Sequence, residues 1–472
     1  MKKSDKHETG VQMYLSEKEE WTRRVPVLAG VAVSYADQTQ VDEHSAGLEK
    51  EELLADGLME AVCSLSNLER ACRRVISNGG SAGIDGMDVK DLETWFGENW
   101  QDLQEELLSG NYSPLGVREV EIPKPKGGVR KLGIPTVKDR LIQQAIQQVL
   151  SSLYDVGFSP TSYGFRSGRG AHDALRQLSH YISLGRTYVV DIDLAKFFDE
   201  VNHERLMSRL SDRIGDSLLL KLIHRYLRSG VLSGGLVSQR TKGTPQGSPL
   251  SPLLSNIVLD ELDMELSMRG HHYVRYADDV VIVVGSLQSA ERVQQSITTY
   301  IETRLRLKVN AAKSRICRPL DLNYLGHRFT NGGEILLSES SEARLKDKIR
   351  TCTQRNRGRK LEAVIAELNT KLRGWLNYFK LAKMKNRLRS LDSWIRKRLR
   401  CYRLKQCKRA KGMLRFLTRL GVPKRRAFTT ATSRKGWWRK SSTPACQEAM
   451  NNNWFTKQGL FNLSEAYTTL HT

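Results

Sequence analysis

No stretch of this 472-residue chain approaches the run of about 18 apolar residues that a membrane-crossing helix needs. Val25 to Val33 is apolar, but charged residues surround it and it lies too far in for a signal peptide; it reads as a buried strand or a weakly ordered arm. The opening, MKKSDKHETG, has no hydrophobic run behind it, so a cytoplasmic protein is expected. The seven cysteines (Cys63, Cys72, Cys317, Cys352, Cys401, Cys407 and Cys446) are scattered and contain no Cys-x-x-Cys pair, which argues against a disulfide framework and a zinc ribbon. Cys401 and Cys407 have no matching histidine pair nearby and read as ordinary thiols. The histidines, among them His172, His203, His271, His272 and His327, show no metal spacing and read as structural or surface residues. The glycine-rich stretch at 78–86 does not end in Gly-Lys-Ser/Thr, so it is a tight turn rather than a phosphate loop.

Acid is scarce in one region. Between Lys346 and Lys440 stand 32 Lys or Arg against four acids, Asp347, Glu362, Glu367 and Asp392. That segment carries +28 of a net +23, leaving −5 for the remainder. A solvated charged face would mix both signs, so the excess points to a polyanion, nucleic acid before anionic membrane. The rest of the composition, 39% hydrophobic and 27% charged, is that of a globular chain of two to four structural units.

Residues 1 to about 48 show no clear period and read as an arm. A helical pattern runs from Glu51 to about Ser77, with Leu53, Leu54, Leu58, Met59, Val62 and Leu65 on one side. Residues 118–135 read as two strands joined by a Lys-Gly-Gly turn, a basic hairpin with Lys124, Lys126, Arg130 and Lys131, and a helix follows from about Lys138 to Tyr154. The last third is helical: apolar positions 361, 364, 365, 368, 372, 375, 376 and 379 make one stripe. A second stripe holds Leu391, Trp394, Ile395, Leu399 and Tyr402, with Arg396, Lys397, Arg400 and Arg403 on other, outward faces.

Chemistry concentrates in two places. In YVRYADDVVIVV, 273–284, apolar stretches flank an Ala-Asp-Asp turn that reads as a β-hairpin with adjacent carboxylates at its tip. Such carboxylates repel each other, which a divalent cation would relieve. Upstream, Asp191 and Asp193 alternate with Val190, Ile192 and Leu194 and share one strand face. One strand carboxylate and two from the hairpin can clamp two Mg²⁺ ions in a two-metal phosphoryl transfer.

Taken in order, the blocks GSAGIDG at 80–86, IPKPKGGVRKLGIPTVKDR at 122–140, SYGFRSGRGAHDAL at 162–175, DIDLAKFFDEVNH at 191–203, GTPQGSPLSPLLSNIVLDELD at 243–263, YADD at 276–279, LRLKVNAAKS at 305–314 and LNYLGHRF at 322–329 resemble the group II intron-encoded reverse transcriptases. LRGWLNYF at 372–379 is similar to the family's thumb and maturase region. The resemblance implies that Asp193, Asp278 and Asp279 are the catalytic, metal-binding aspartates. Asp193 is preferred to Asp191 because Phe198, five places on, then takes the steric-gate position against a nucleotide 2′-hydroxyl; from Asp191 that place falls on Lys196. Asp191 becomes a supporting group, and Asp199 a structural residue of the following helix. It further implies that Gln246 lies against the incoming nucleotide, and that Lys124 (with Lys126 as the alternative) and Arg130 neutralise its triphosphate. Arg166 and Lys313 would touch template or primer phosphate, and Arg396, Lys397, Arg400 and Arg403 the RNA.

The fold so implied is α+β, a right-hand polymerase whose palm is an antiparallel sheet packed on helices, followed by a helical basic thumb and maturase domain. The expected segments are the arm at 1–48, fingers at 49–185, palm at 186–335, thumb and maturase at 336–420, and the C-terminal part of the maturase region at 421–472. The resemblance implies an RNA-directed DNA polymerase with two Mg²⁺ ions, Mn²⁺ being a substitute. Its implied partners are dNTPs, an RNA template, a DNA primer or target DNA, and the group II intron RNA whose splicing and mobility it assists, with no membrane partner and a bacterial cytoplasmic, nucleoid-associated setting. Phe198 argues against ribonucleotide synthesis, and the absence of a carboxylate cluster after residue 330 against an RNase H domain. No paired Cys and His pattern of a C-terminal DNA endonuclease is present, so priming from a nascent strand at a replication fork is expected. The alternatives are a splicing-only maturase and a domesticated reverse transcriptase in DNA repair or phage defence.

Overall fold

A computed structural model of the chain describes residues 55–123, 128–233, 236–238 and 240–471. The arm at 1–48, the apolar run at 25–33, and Lys124 and Lys126 lie outside the described residues. The chain divides into two compact units. One comprises the described residues up to Gln177 together with Tyr188–Cys317; the other is Leu178–Thr187 with Arg318 onward. In the first unit, helix residues such as Leu141 and Ile146 and strand residues such as Val190, Ile192 and Ile282 belong to a single buried cluster, so the segments expected as fingers and palm share one core. In the second, Leu337 packs with Leu345, Leu368 and Leu388 in the helical core.

In the first unit the stretch expected as one helix is two, Leu58–Cys63 and Leu65–Asn78, broken where Ser64 takes φ −58° and ψ 137°. The break lets each segment present its own apolar side: Met59, Val62 and Cys63 from one, Leu68, Ala71 and Val75 from the other. The basic hairpin is β1 (Val117–Pro123) and β2 (Val129–Ile134), paired antiparallel from Arg118 opposite Ile134 to Pro123 opposite Val129. It extends into a four-stranded sheet because β1 also runs parallel to β4 (Val231–Ser233), which pairs with β5 (Leu236–Ser238). The helix after the hairpin, Val137–Tyr154, starts where the Thr136 hydroxyl accepts a hydrogen bond from the Asp139 amide.

The second sheet has the order β6-β7-β3-β8, built from β3 (Tyr188–Asp193), β6 (His272–Tyr276), β7 (Asp279–Val284) and β8 (Arg315–Cys317), with every pairing antiparallel. Period-two alternation does what the sequence requires of it: Val190, Ile192, Val280 and Ile282 enter the large core cluster, while the polar positions of β3 are left on the other face. Under this sheet runs helix Ser251–Met268, and from it Asp263 meets Arg275 of β6. The guanidinium donates to both carboxylate oxygens at 2.5–3.0 Å, and neither side chain has any exposure. Its remaining nitrogen donates to Asn256 Oδ1 and the Ala277 carbonyl, each at 3.0 Å.

Among its described residues the second unit is helical apart from the hairpin β9 (His327–Phe329) and β10 (Ile335–Leu337). On helix Leu361–Phe379 the expected stripe is inward: Leu361, Val364, Ile365, Leu368, Leu372, Leu376 and Phe379 are all buried. Helix Lys385–Gln406 buries Leu391, Ile395, Leu399 and Tyr402 in the same way. Asp392, on its buried side, accepts hydrogen bonds from the Leu463 and Ser464 amides at 3.0 and 2.9 Å and so caps helix Leu463–Thr469. One of the four acids in the basic segment is thus structural.

Removing one partner of a buried ion pair leaves the other charged and dry, so Asp263→Ala should cost about 3–5 kcal/mol in chemical denaturation of the folded chain. A loss within the range of an exposed ion pair, under about 1 kcal/mol, would show that the pair does not carry this load. Asp392→Ala strands two amides at a helix start, and a loss of about 1–2 kcal/mol is expected; circular dichroism melts unchanged from the parent would contradict the cap.

Candidate active site

Antiparallel register decides which carboxylates meet. Asp193, the last residue of β3, stands directly opposite Asp279, the first of β7. Opposed residues in such a ladder share a face with Cβ atoms about 4.5–5.5 Å apart. Asp278 lies beside them in the two-residue turn between β6 and β7, where Ala277 adopts φ 58°. Asp191, two residues back, is instead opposite Arg315 of β8 and pairs with it at 3.6 Å. Asp193 thus stands across from a hairpin carboxylate, while Asp191 is paired with Arg315.

The turn is held from behind. Gly164 lies so close to it that a Cβ there would come within 2.1 Å of the Ala277 nitrogen, which no side chain permits. The Gly164 carbonyl accepts from Asn256 Nδ2 at 2.9 Å, and the Asn256 oxygen accepts from Arg275. Gly164, Asn256, Asp263 and Arg275 were not singled out by the sequence reading. Gly164, Asn256 and Asp263 lie within the motif blocks at 162–175 and 243–263, and the signal for Arg275 was an arginine between apolar neighbours with no acid beside it in the chain before Asp278.

Electrostatics follow from the crowding. Lost hydration, then the like charges of Asp278, Asp191 and Asp193, push the Asp279 carboxyl up to about 6, against the opposing pull of Lys313. Asp278 is raised too, chiefly by burial and also by Asp193, while Arg130 and Lys313 pull it down. Lys313 Nζ sits 3.1 Å from both oxygens of Asp193, and Asn310 Nδ2 donates to one of them at 3.0 Å. Hard oxygens crowded by like charge suit a divalent cation. As arranged, among the described residues no three Asp, Glu, His or Cys side chains converge as a metal cage; the Asp193 carboxylate is turned to Lys313 and Asn310.

Other expected residues gather in the same unit. Arg130 of β2 donates through Nε to Gln246 Oε1 at 2.7 Å, joining the hairpin to the Pro-Gln-Gly loop. That loop is tied to β2 a second time, by the Gly133 amide donating to the Gln246 carbonyl at 2.9 Å. Its other end lies on the Phe198 backbone: Thr244 N donates to Phe198 O at 2.6 Å, and a Cβ on Gly243 would meet Phe198 O and Asp199 atoms at 2.8–2.9 Å. Phe198 is half-buried and packs edge-on against the buried ring of Phe197.

Two expectations need correction. Arg166 does not offer its charge to a phosphate: the side chain is 1% exposed and donates to Asp155 Oδ1 at 2.6 Å and to the Asp155, Ser159 and Ser162 carbonyls at 2.6–3.0 Å. It braces its loop, because an arginine with this many oxygens around it is satisfied without solvent. In the second unit, Arg396, Lys397, Arg400 and Arg403 are half-buried rather than outward. Lys397 lies over Trp438 at 4.2 Å, Arg403 over Phe416 at 4.2 Å, and Arg400 over Phe455 at 5.6 Å while donating to the Met450 carbonyl. Lys124 lies outside the described residues.

Residues 122–329 match the family described as reverse transcriptase (RNA-dependent DNA polymerase), and residues 343–421 the group II intron, maturase-specific domain. The chain is 33% identical to Protein YkfC of Escherichia coli (strain K12) over 302 residues, 55% of this chain and 79% of that protein. It is 27% identical to the Group II intron-encoded protein LtrA of Lactococcus lactis subsp. cremoris over 417 residues, 67% of this chain and 69% of LtrA. A Putative COX1/OXI3 intron 1 protein of Saccharomyces cerevisiae is 29% identical over 221 residues, 45% of this chain and 25% of that one. With a reverse-transcriptase segment followed by a maturase segment in one sequence, this chain belongs to the family of group II intron-encoded reverse transcriptases and maturases.

Proposed function

We propose that the first unit extends a DNA primer along an RNA template at Asp193, Asp278 and Asp279, which hold two Mg²⁺ ions, and that the second unit binds the group II intron RNA. The observation that carries the site is the register placing Asp193 opposite Asp279 with Asp278 in the adjoining turn. Reverse transcriptases use divalent metal ions; when bound, they would activate the primer 3′-hydroxyl and neutralise the pyrophosphate that leaves. The rest falls to the chain. Arg130 meets the triphosphate and gives up its hydrogen bond to Gln246, which then lies against the nucleotide. The Phe198 ring, held by Phe197 and by the Gly243–Thr244 backbone, occupies the place a ribose 2′-hydroxyl would need. Lys313, an ammonium on Asp193, holds that carboxylate's charge until an ion enters.

RNA binding through the basic segment is expected to rest on phosphate charge and shape. By binding the active fold of the intron ribozyme preferentially the protein would shift its population, without protein chemistry at the splice site. The two activities then draw on different residues.

Purified protein given an RNA template, a DNA primer and Mg²⁺ should make product from dNTPs and not from rNTPs. Asp278→Ala should lower primer extension by about three orders of magnitude or more. No extension by a folded parent that still binds RNA would move the assignment to a splicing-only protein. In a splicing assay Asp278→Ala should help the intron as the parent does, and the help should fall steeply as salt rises. Loss of splicing help in a folded, RNA-bound Asp278→Ala protein would show that the two functions are not separable.

A further inference from the structure

Three consecutive residues beside the carboxylates have unlike fates. Gly164 is pressed against Ala277. Arg166 is buried in an anchor of four hydrogen bonds. Between them Phe165 adopts φ 62° and is 50% exposed. The left-handed region is a genuine outlier for a bulky side chain, which pays there for a Cβ set against its own carbonyl. Glycine would occupy that position without strain, and an exposed ring gains little hydrophobic stabilisation in return.

Both neighbours of the residue are anchored. Gly164 is fixed by the Ala277 contact and by Asn256, and Arg166 by Asp155, Ser159 and Ser162. A loop so over-determined at both ends can hold a strained residue between them, and strain of this kind collects at ligand-contacting positions. Here it turns an aromatic face to solvent one residue from the glycine that touches the Ala277–Asp278 turn. Ala277 is itself a non-glycine residue with positive φ, so strain lies on both sides of that contact.

We propose that Phe165 is a stacking platform for the nucleic-acid strand held at the carboxylates, its ring lying on the flat face of a base or ribose of the primer–template. This rests on the polymerase reading for the identity of the strand. An aromatic face accepts any base, since every base has a π-face, so the contact adds affinity without sequence preference. A phenylalanine side chain has only two rotatable bonds to fix on binding, and its backbone is already held on both sides. Arg166, read from sequence as the phosphate contact of this loop, instead supplies the anchor that lets its neighbour make the contact.

The test is the affinity of the full chain for a primer–template duplex, by fluorescence anisotropy with dNTP withheld, across Phe165→Ala, Phe165→Gly and Phe165→Tyr. Phe165→Ala should bind on the order of ten-fold more weakly, and Phe165→Tyr should restore binding. Phe165→Gly is the decisive variant: it relieves the backbone, so its melting temperature should equal or exceed the parent's, yet its affinity should fall as far as that of Phe165→Ala. If Phe165→Ala fails to fold, the glycine variant alone decides. Parent-like affinity in a folded Phe165→Gly protein overturns the proposal. So does a defect confined to the dNTP KM with primer–template affinity intact, which would place the ring on the nucleotide. A parent unable to extend a primer would sink the polymerase reading without touching this comparison, because binding is what is read.

Discussion

One buried ion pair sets where the chemistry of the first unit can happen. Arg275 and Asp263, both without exposure, tie the strand leading into the Ala-Asp-Asp turn to the helix beneath the sheet. Such a pair contributes little net stability compared with apolar residues of the same volume, because both charges lose their water. What it supplies is direction. A guanidinium offers donors at fixed angles, and here they are shared among Asp263, Asn256 and the Ala277 carbonyl. The turn that displays Asp278 is thereby attached to the core on one side and to Gly164 through Asn256 on the other.

Around that turn, repulsion is the organising force. Burial first, and then the like charges of Asp278, Asp191 and Asp193, lift the Asp279 carboxyl to about 6. Arg315 takes the charge of Asp191, and Lys313 that of Asp193. Arg130 bears on Asp278 from the basic hairpin while reaching Gln246. Positive groups thus take up part of the charge of crowded carboxylates, and a divalent cation entering there would compete with them for the same hard oxygens.

The second unit treats charge differently. Its segment at 346–440 is strongly basic, and much of helix Lys385–Gln406 lays its cations over aromatic rings: Arg398 over Trp394, Lys397 over Trp438, Arg403 over Phe416. These residues are half-buried, and seating over a ring orients the guanidinium and ammonium groups rather than leaving them to sample solvent freely.

Local pattern was enough for the helices and strands themselves. The stripe from Leu361 to Phe379, the alternation through Val190 and Ile192, the Ala-Asp-Asp turn and the order of motif blocks could all be read along the chain, because each depends on neighbours three, four or two residues away. Even there Ser64 divided a helix that periodicity alone joined. The sequence by itself thus determined the family, the α+β class and the three aspartates put forward as the site. Only the tertiary structure decided that Asp193 faces Asp279 while Asp191 faces Arg315, that Arg166 is a brace, that Phe165 is strained outward, and that Arg275 finds Asp263. Those outcomes depend on strand register and on contacts between residues far apart in sequence, and a side chain's charge does not say whether its partner will be solvent, a phosphate or a buried oxygen.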